Sequence, residues 1–92
     1  MNRLLLNFFN PMTEQKPKVH ELNARRMLCP MPVIRTQDKI KTLSSGEILR
    51  VICTDPGVKA DIPTWCRING HLVLEIEEKH QEIHVTIEVG NE

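Results

Sequence analysis

The fold class this sequence predicts is α/β (more strictly α+β): a two-layer sandwich with one four-stranded mixed sheet and two helices on one of its faces. Three observations predict it. Four runs alternate apolar with polar residues, two stretches carry apolar residues at helical spacing, and they follow one another in the order β-α-β-α-β-β. With 92 residues the chain suits a single domain that buries only about 60–65% of its unfolded surface. That leaves little room for a deep ligand cavity, so chemistry is expected at the surface or in a shallow groove.

Taken in order, residues 1–17 read as a disordered tail and residues 18–92 as one domain. The apolar run Leu4-Leu5-Leu6-Asn7-Phe8-Phe9 is too short to span a bilayer, lacks a small-residue cleavage site before Pro11, and is shorter than an interfacial helix needs to be. It is either an upstream translation before Met12 or a hydrophobic arm. His20, Leu22 and Ala24 then alternate with Val19, Glu21 and Asn23 as a strand. Val33, Thr36, Ile40 and Leu43 recur at helical spacing until Ser44-Ser45-Gly46 stops them. Glu47 to Thr54 is a second strand, with Leu49, Val51 and Cys53 on one face and Arg50 on the other.

After the turn Asp55-Pro56-Gly57, a second helix is expected over roughly Val58 to Asn69, with Val58, Ile62, Trp65 and Cys66 on its stripe and Gly70 at its end. Pro63 either kinks this helix or sits in the first turn of a shorter one capped by Asp61, and the cap is the preferred role for Asp61. In the last two strands Leu72, Leu74 and Ile76, then Ile83, Val85, Ile87 and Val89, point to the core around a polar Lys79-His80-Gln81 turn. The stretch from Glu75 to Glu82 reads as a solvated hairpin. The far sheet face, with Arg50, Glu75, Glu77 and Glu88, is expected to stay wet.

The residue that carries chemistry is Cys29, in Cys29-Pro30-Met31-Pro32. The two prolines fix where the first helix opens and place the thiol at its N-terminus. There the helix dipole and the amides of Met31, Val33 and Ile34, expected to be unpaired, would favour a thiolate. A buried structural cysteine is the alternative, but a core helix has no use for prolines around a thiol. Cys53 and Cys66 point to the core.

Composition closes other routes. Twelve basic and twelve acidic side chains cancel, leaving no global field to hold nucleic acid directly. Three cysteines form no closely spaced pair, which favours a reducing cytoplasm over a disulfide scaffold. Pro32 stands where a Cys-x-x-Cys redox motif needs its second thiol. His20, His71, His80 and His84 lack metal-site spacing and read as strand-surface or turn residues, so neither a metal nor a membrane partner is expected.

Several segments in order carry a resemblance: Leu22-Asn23-Ala24-Arg25, Cys29-Pro30-Met31-Pro32-Val33, Gly46-Glu47, Thr54-Asp55-Pro56-Gly57, Asp61-Ile62-Pro63-Thr64-Trp65-Cys66 and Gly70-His71. Over residues 20–89 the chain resembles the TusA/SirA family of sulfur-carrier proteins. The resemblance implies that Cys29 accepts sulfane sulfur as a persulfide and hands it on. The donor would be a cysteine desulfurase or a rhodanese-like protein. The acceptor would be another protein, in tRNA 2-thiolation or other sulfur trafficking, and no soluble cofactor is needed. Three positions depart from the family pattern: Asn23 for an acidic residue, Leu28 for arginine, and Arg26 for glycine. Because arginine resists positive φ, Arg26 is expected to divert its loop. Arg25 and Arg26 would supply positive charge near the thiolate or remain solvated. Two other classes compete with the sulfur carrier: a noncatalytic regulatory or protein-binding module with an ordinary thiol, and a redox protein pairing Cys29 with Cys53 or Cys66.

Overall fold

Alternating side chains make a sheet only when one of its faces is covered, and here two helices cover it. The computed structural model describes residues 18–90. The expected tail, residues 1–17, and the last two residues of the expected 18–92 domain lie outside the described residues. The elements are β1 (Val19–Ala24), α1 (Met31–Ile40), β2 (Ile48–Cys53), α2 (Val58–Asn69), β3 (Leu72–Lys79) and β4 (Glu82–Glu88), in the expected order. The sheet runs β1-β2-β4-β3. β1 lies parallel to β2, while β4 runs antiparallel to both β2 and β3. A parallel neighbour requires a crossover, and α1 supplies it between β1 and β2.

Leu49, Val51 and Cys53 of β2 stand beside Ile87, Val85 and Ile83 of β4. With Val58, Ile62 and Cys66 of α2, Ile40 of α1, Ala24 and Val89 they form one buried cluster. Each large aliphatic side chain in it is worth about 1.5–3 kcal/mol of transfer free energy. Trp65 packs half-buried against this cluster. It also stacks on His71, 5.3 Å between ring centroids, and this imidazole is buried, not on the strand surface as expected.

The expected wet face is largely as read. Arg50 pairs there with Glu21 at 3.5 Å, and the register puts Glu75, Glu77 and Glu88 on the same side. Ile52 is the exception, on that face yet only 5% exposed. The Arg25–Glu82 bridge joins β1's end to β4 across β2 and lies over its Ile52 end.

Four local readings need correction. α1 ends at Ile40, and tight turns (Thr42 N–H to the Lys39 carbonyl, Leu43 N–H to the Ile40 carbonyl, both 2.9 Å) carry the chain onward to Leu43. α2 begins at Val58 with Gly57 as its N-cap and continues through Pro63. A shorter helix capped by Asp61 is therefore overturned, because the turn that precedes it is already closed by Ala60 and Asp61 amides donating to the Gly57 carbonyl. In β3 a register shift between Val73 and Glu75 breaks the alternation. Val73 turns to the core face and Leu72 to the other, while Ile76, opposite Val85, keeps the expected core side; Leu72, Leu74 and Ile76 are 58%, 48% and 39% exposed. Finally, the hairpin acids are engaged as well as solvated: Glu78 takes Lys59 at 2.6 Å and Glu82 takes Arg25 at 2.6 Å. The hairpin itself closes on His80 and Gln81, both at positive φ, as a two-residue turn that suits strand twist.

Candidate functional site

Cys29 follows the loop after β1, at the end of the sheet where β1 and β2 finish, and it is exposed. Its peptide bond to Pro30 is cis. Pro30 is the N-cap of α1, and Pro32 lies in its first turn as the sequence indicates. The thiol is therefore beside a helix start, yet that start does not serve it. The Met31 amide donates to the Leu28 carbonyl at 2.9 Å, and the Val33 and Ile34 amides both donate to the Pro30 carbonyl at 3.1 Å. The donors expected to favour a thiolate are consumed within the turn.

Two carboxylates set the thiol instead. The Cys29 amide donates to Asp55 Oδ2 at 3.0 Å, and Sγ donates to Asp61 Oδ2, also at 3.0 Å. The other oxygen of Asp55 accepts the Gly57 amide at 3.0 Å. These amide bonds hold the Asp55 carboxyl below its ordinary range. Their effect on the sulfur is opposite. The Asp61 hydrogen bond first, then desolvation, then Asp55, push the Cys29 thiol up to about 12. The expected activated thiolate is thus corrected: the resting group is a thiol, because the nearest charges are negative and the helix amides are spent. Gly57 sits against the same atom, and a Cβ added there would meet Sγ at 3.4 Å.

The loop before Cys29 corrects a second expectation. Arg26 adopts φ 67°, so arginine takes the left-handed conformation open to glycine and the loop is not diverted by avoiding it. That conformation costs a non-glycine residue about 1–2 kcal/mol, partly offset as the Arg26 amide donates to Thr54 Oγ1 at 2.8 Å. Asn23 makes the adjacent turn, its Oδ1 accepting the Arg25 amide at 3.1 Å. The Arg25 guanidinium reaches Glu82 with two nitrogens, at 2.6 and 3.2 Å. Arg25 is thus an exposed charge paired with Glu82, and not a partner of the thiol.

Of the residues singled out in the sequence, the structure brings Cys29, Pro30, Pro32 and Asp61 together, while Arg25 serves the sheet. Sequence reasoning missed Asp55, Thr54 and Gly57 as members of this cluster. The Asp-Pro-Gly turn that holds them was visible, but its contact with a residue 26 positions earlier was not. Cys53 and Cys66 are free and buried, and burial pushes each thiol up to about 11. Around Cys29 the exposed apolar side chains Leu28, Met31 and Ile34 flank the helix start. A hollow lies elsewhere, an open groove of about 470 Å³ between α2 and β3 lined by Pro63, Thr64, Cys66, Arg67, His71, Leu72 and Val73. Among the described residues no three His, Cys, Asp or Glu side chains are grouped to hold a metal ion, and no helix is long and apolar enough to cross a membrane.

Comparison with known proteins bears on this arrangement. The family model described as "Sulfurtransferase TusA" matches residues 20–89. The sulfur carrier protein TusA of Allochromatium vinosum is 34% identical over 73% of this chain and 88% of its own length. That of Pseudomonas aeruginosa is 40% identical over 63% of this chain and 73% of its own length. A SirA-like protein from Desulfitobacterium hafniense has a crystal structure that superposes with a TM-score of 0.70 and 26% identity, covering 78% of this chain and 99% of the other.

Proposed function

The chain belongs to the TusA sulfurtransferase family, and we propose that it works as a sulfur carrier with the persulfide held on Cys29. The observation that carries this assignment to one residue is exposure: among the three cysteines Cys29 is exposed, whereas Cys53 and Cys66 are buried in the core. In the loading step Cys29 sulfur attacks the outer sulfur of a persulfide on a donor protein. A bond forms between Cys29 Sγ and that outer sulfur, the donor's own sulfur–sulfur bond breaks, and the proton of Cys29 passes to the departing donor thiolate. Delivery runs the same exchange in the other direction, onto an acceptor thiol. Sulfur changes hands without net oxidation, so the step calls for no soluble cofactor.

The donor in this reading is a protein such as a cysteine desulfurase or a rhodanese, and the acceptor is a protein of tRNA 2-thiolation or another sulfur-trafficking route. Residues 18–92 act as a single carrier domain in the cytoplasm, with Pro30 and Pro32 fixing the helix start. Arg25 and Arg26 shape the loop before the thiol, Arg25 through Glu82 and Arg26 through its backbone. Leu28, Met31 and Ile34, exposed beside the thiol, give a partner an apolar surface to meet.

Intact-mass measurement after incubation with a cysteine desulfurase and cysteine tests the reading. A reductant-sensitive gain of one sulfur atom is expected for the natural sequence and not for Cys29→Ser. The competing reading is a binding module that uses the same apolar surface, and the hydrogen bond that ties Sγ to Asp61 is the observation in its favour. No sulfur gain, with partner binding retained in Cys29→Ser, would establish the module instead.

A further inference from the structure

Asp61 lies in the first turn of α2 and spends its carboxylate on a residue of another segment. It caps no helix, and the amide two positions after it, which a capping carboxylate would take, is missing because that residue is Pro63. Asp55, its neighbour at the site, has an oxygen committed to each of two amides, those of Cys29 and Gly57. The thiol proton therefore faces Asp61. Gly57 lies against the same sulfur, where an added Cβ would make ordinary contact at 3.4 Å.

We propose that Asp61 is a positioning residue that masks the empty carrier: its carboxylate holds the Cys29 thiol protonated and tucked against α2, and the hold is lost once an outer sulfur is attached. This rests on the persulfide reading given above. In the loaded state the inner sulfur bears no proton, so it has nothing to donate to Asp61. The ionisable atom then stands one sulfur–sulfur bond, about 2.05 Å, further out. A hydrogen bond that stabilises the empty form becomes a contact between a carboxylate and a sulfur lone pair. Asp61 thus treats the two forms of the carrier differently, leaving the empty thiol slow toward stray electrophiles.

The charged groups around the thiol are consistent with this division. Asp55 approaches from the loop after β2 and Asp61 from α2. On the segment that bears Cys29, the Arg25 guanidinium is committed to Glu82, and on α2 Lys59 is committed to Glu78. Both negative groups disfavour a thiolate, Asp61 the more strongly, through the 3.0 Å bond from Sγ.

The test is the rate at which iodoacetamide alkylates Cys29 in the full chain, followed by intact mass from about pH 7 to about pH 12, for the natural sequence, Asp61→Asn and Asp61→Ala. In the empty state both variants are expected to react about tenfold faster or more at mildly alkaline pH, with the alkylation midpoint moved down toward the ordinary thiol range. After loading with sulfur, alkylation of the outer sulfur is expected to differ by less than about threefold between the natural chain and the variants. Equal rates in the empty state would overturn the proposal. So would an equal acceleration in both states, which marks a general field effect instead of a proton held on Cys29. The midpoint of the unsubstituted protein is a check that needs no variant: a value in the ordinary thiol range also overturns it. Should sulfur loading fail altogether, the persulfide reading falls, while the empty-state rates still decide whether Asp61 holds the proton.

Discussion

The two ends of the sheet differ in kind. Where β1 and β2 finish, an exposed sulfur, two carboxylates and a threonine hydroxyl are tied together by bonds of 2.8–3.0 Å. Where β2 and β3 begin, beside the last turns of α2, the fold opens a groove of about 470 Å³, with apolar Pro63, Leu72 and Val73 in its lining. A pocket of this kind is the usual first guess for a binding site. Here the family relationship and the bonding both direct attention to the end without the groove. On the proposed reading, with one sulfur atom carried on Cys29, that side chain must be presented and its proton controlled. Enclosure would obstruct the transfer.

The contrast can be broken by substitution. The largest effect is expected at the bonded end: Cys29→Ser removes sulfur loading, whereas Leu72→Ser in the groove leaves it intact, as read by intact mass. Loss of loading in Leu72→Ser would move the site to the groove. Next comes the core that joins the ends. Ile62, fully buried on α2, becomes a cavity in Ile62→Ala, which should lower stability in urea titration by about 2–5 kcal/mol. At Arg26 the sign reverses. Glycine relieves the positive φ of 67° but frees the unfolded chain, so Arg26→Gly is expected to gain no more than about 1 kcal/mol. A loss would show that the arginine side chain supports the loop. Leu72→Ser itself, at a 58% exposed position, should change stability by less than about 0.5 kcal/mol.

The smallest effect concerns pH. Arg25 first, then His84, hold the Glu82 carboxyl down to about 2. A carboxylate whose folded value is depressed stabilises the fold above its ordinary value, and that contribution fades as pH falls through the folded one. Acid titration should show a slight loss of stability below about pH 4.5 that is absent in Glu82→Gln. The pair is largely solvated, so the difference is small.

Periodicity carried most of the fold. The span Val58–Asn69 and its closure at Gly70, the outward Arg50, and the inward series Ile83, Val85, Ile87 and Val89 follow from residue spacing alone, since each reports which face meets the core. What escaped was set by contacts without a period. The bulge in β3 leaves Leu74 unpaired and changes the phase of the strand, so that Val73 and Ile76 share the core side and Leu72 lies on the other, and the alternation Leu72, Leu74, Ile76 gives no sign of it. At the site, two prolines placed Cys29 correctly, but the state of its sulfur depends on Asp55 and Asp61, 26 and 32 positions away. Local reasoning gave the thiol a helix dipole, whereas tertiary structure gave it two acids.

Val19 at the start of β1 pairs with Ile48, and Ile48 with Glu88 at the close of β4, so the chain enters and leaves this sheet along one rim. Cys29 lies past the opposite rim, six residues of β2 away, or about 20 Å at strand rise. The domain is thus a stalk with its working atom at the tip. A linker, fusion partner or solid support joined directly before Val19 or after Glu88 would tether the sheet from behind, leaving Cys29 at the far end.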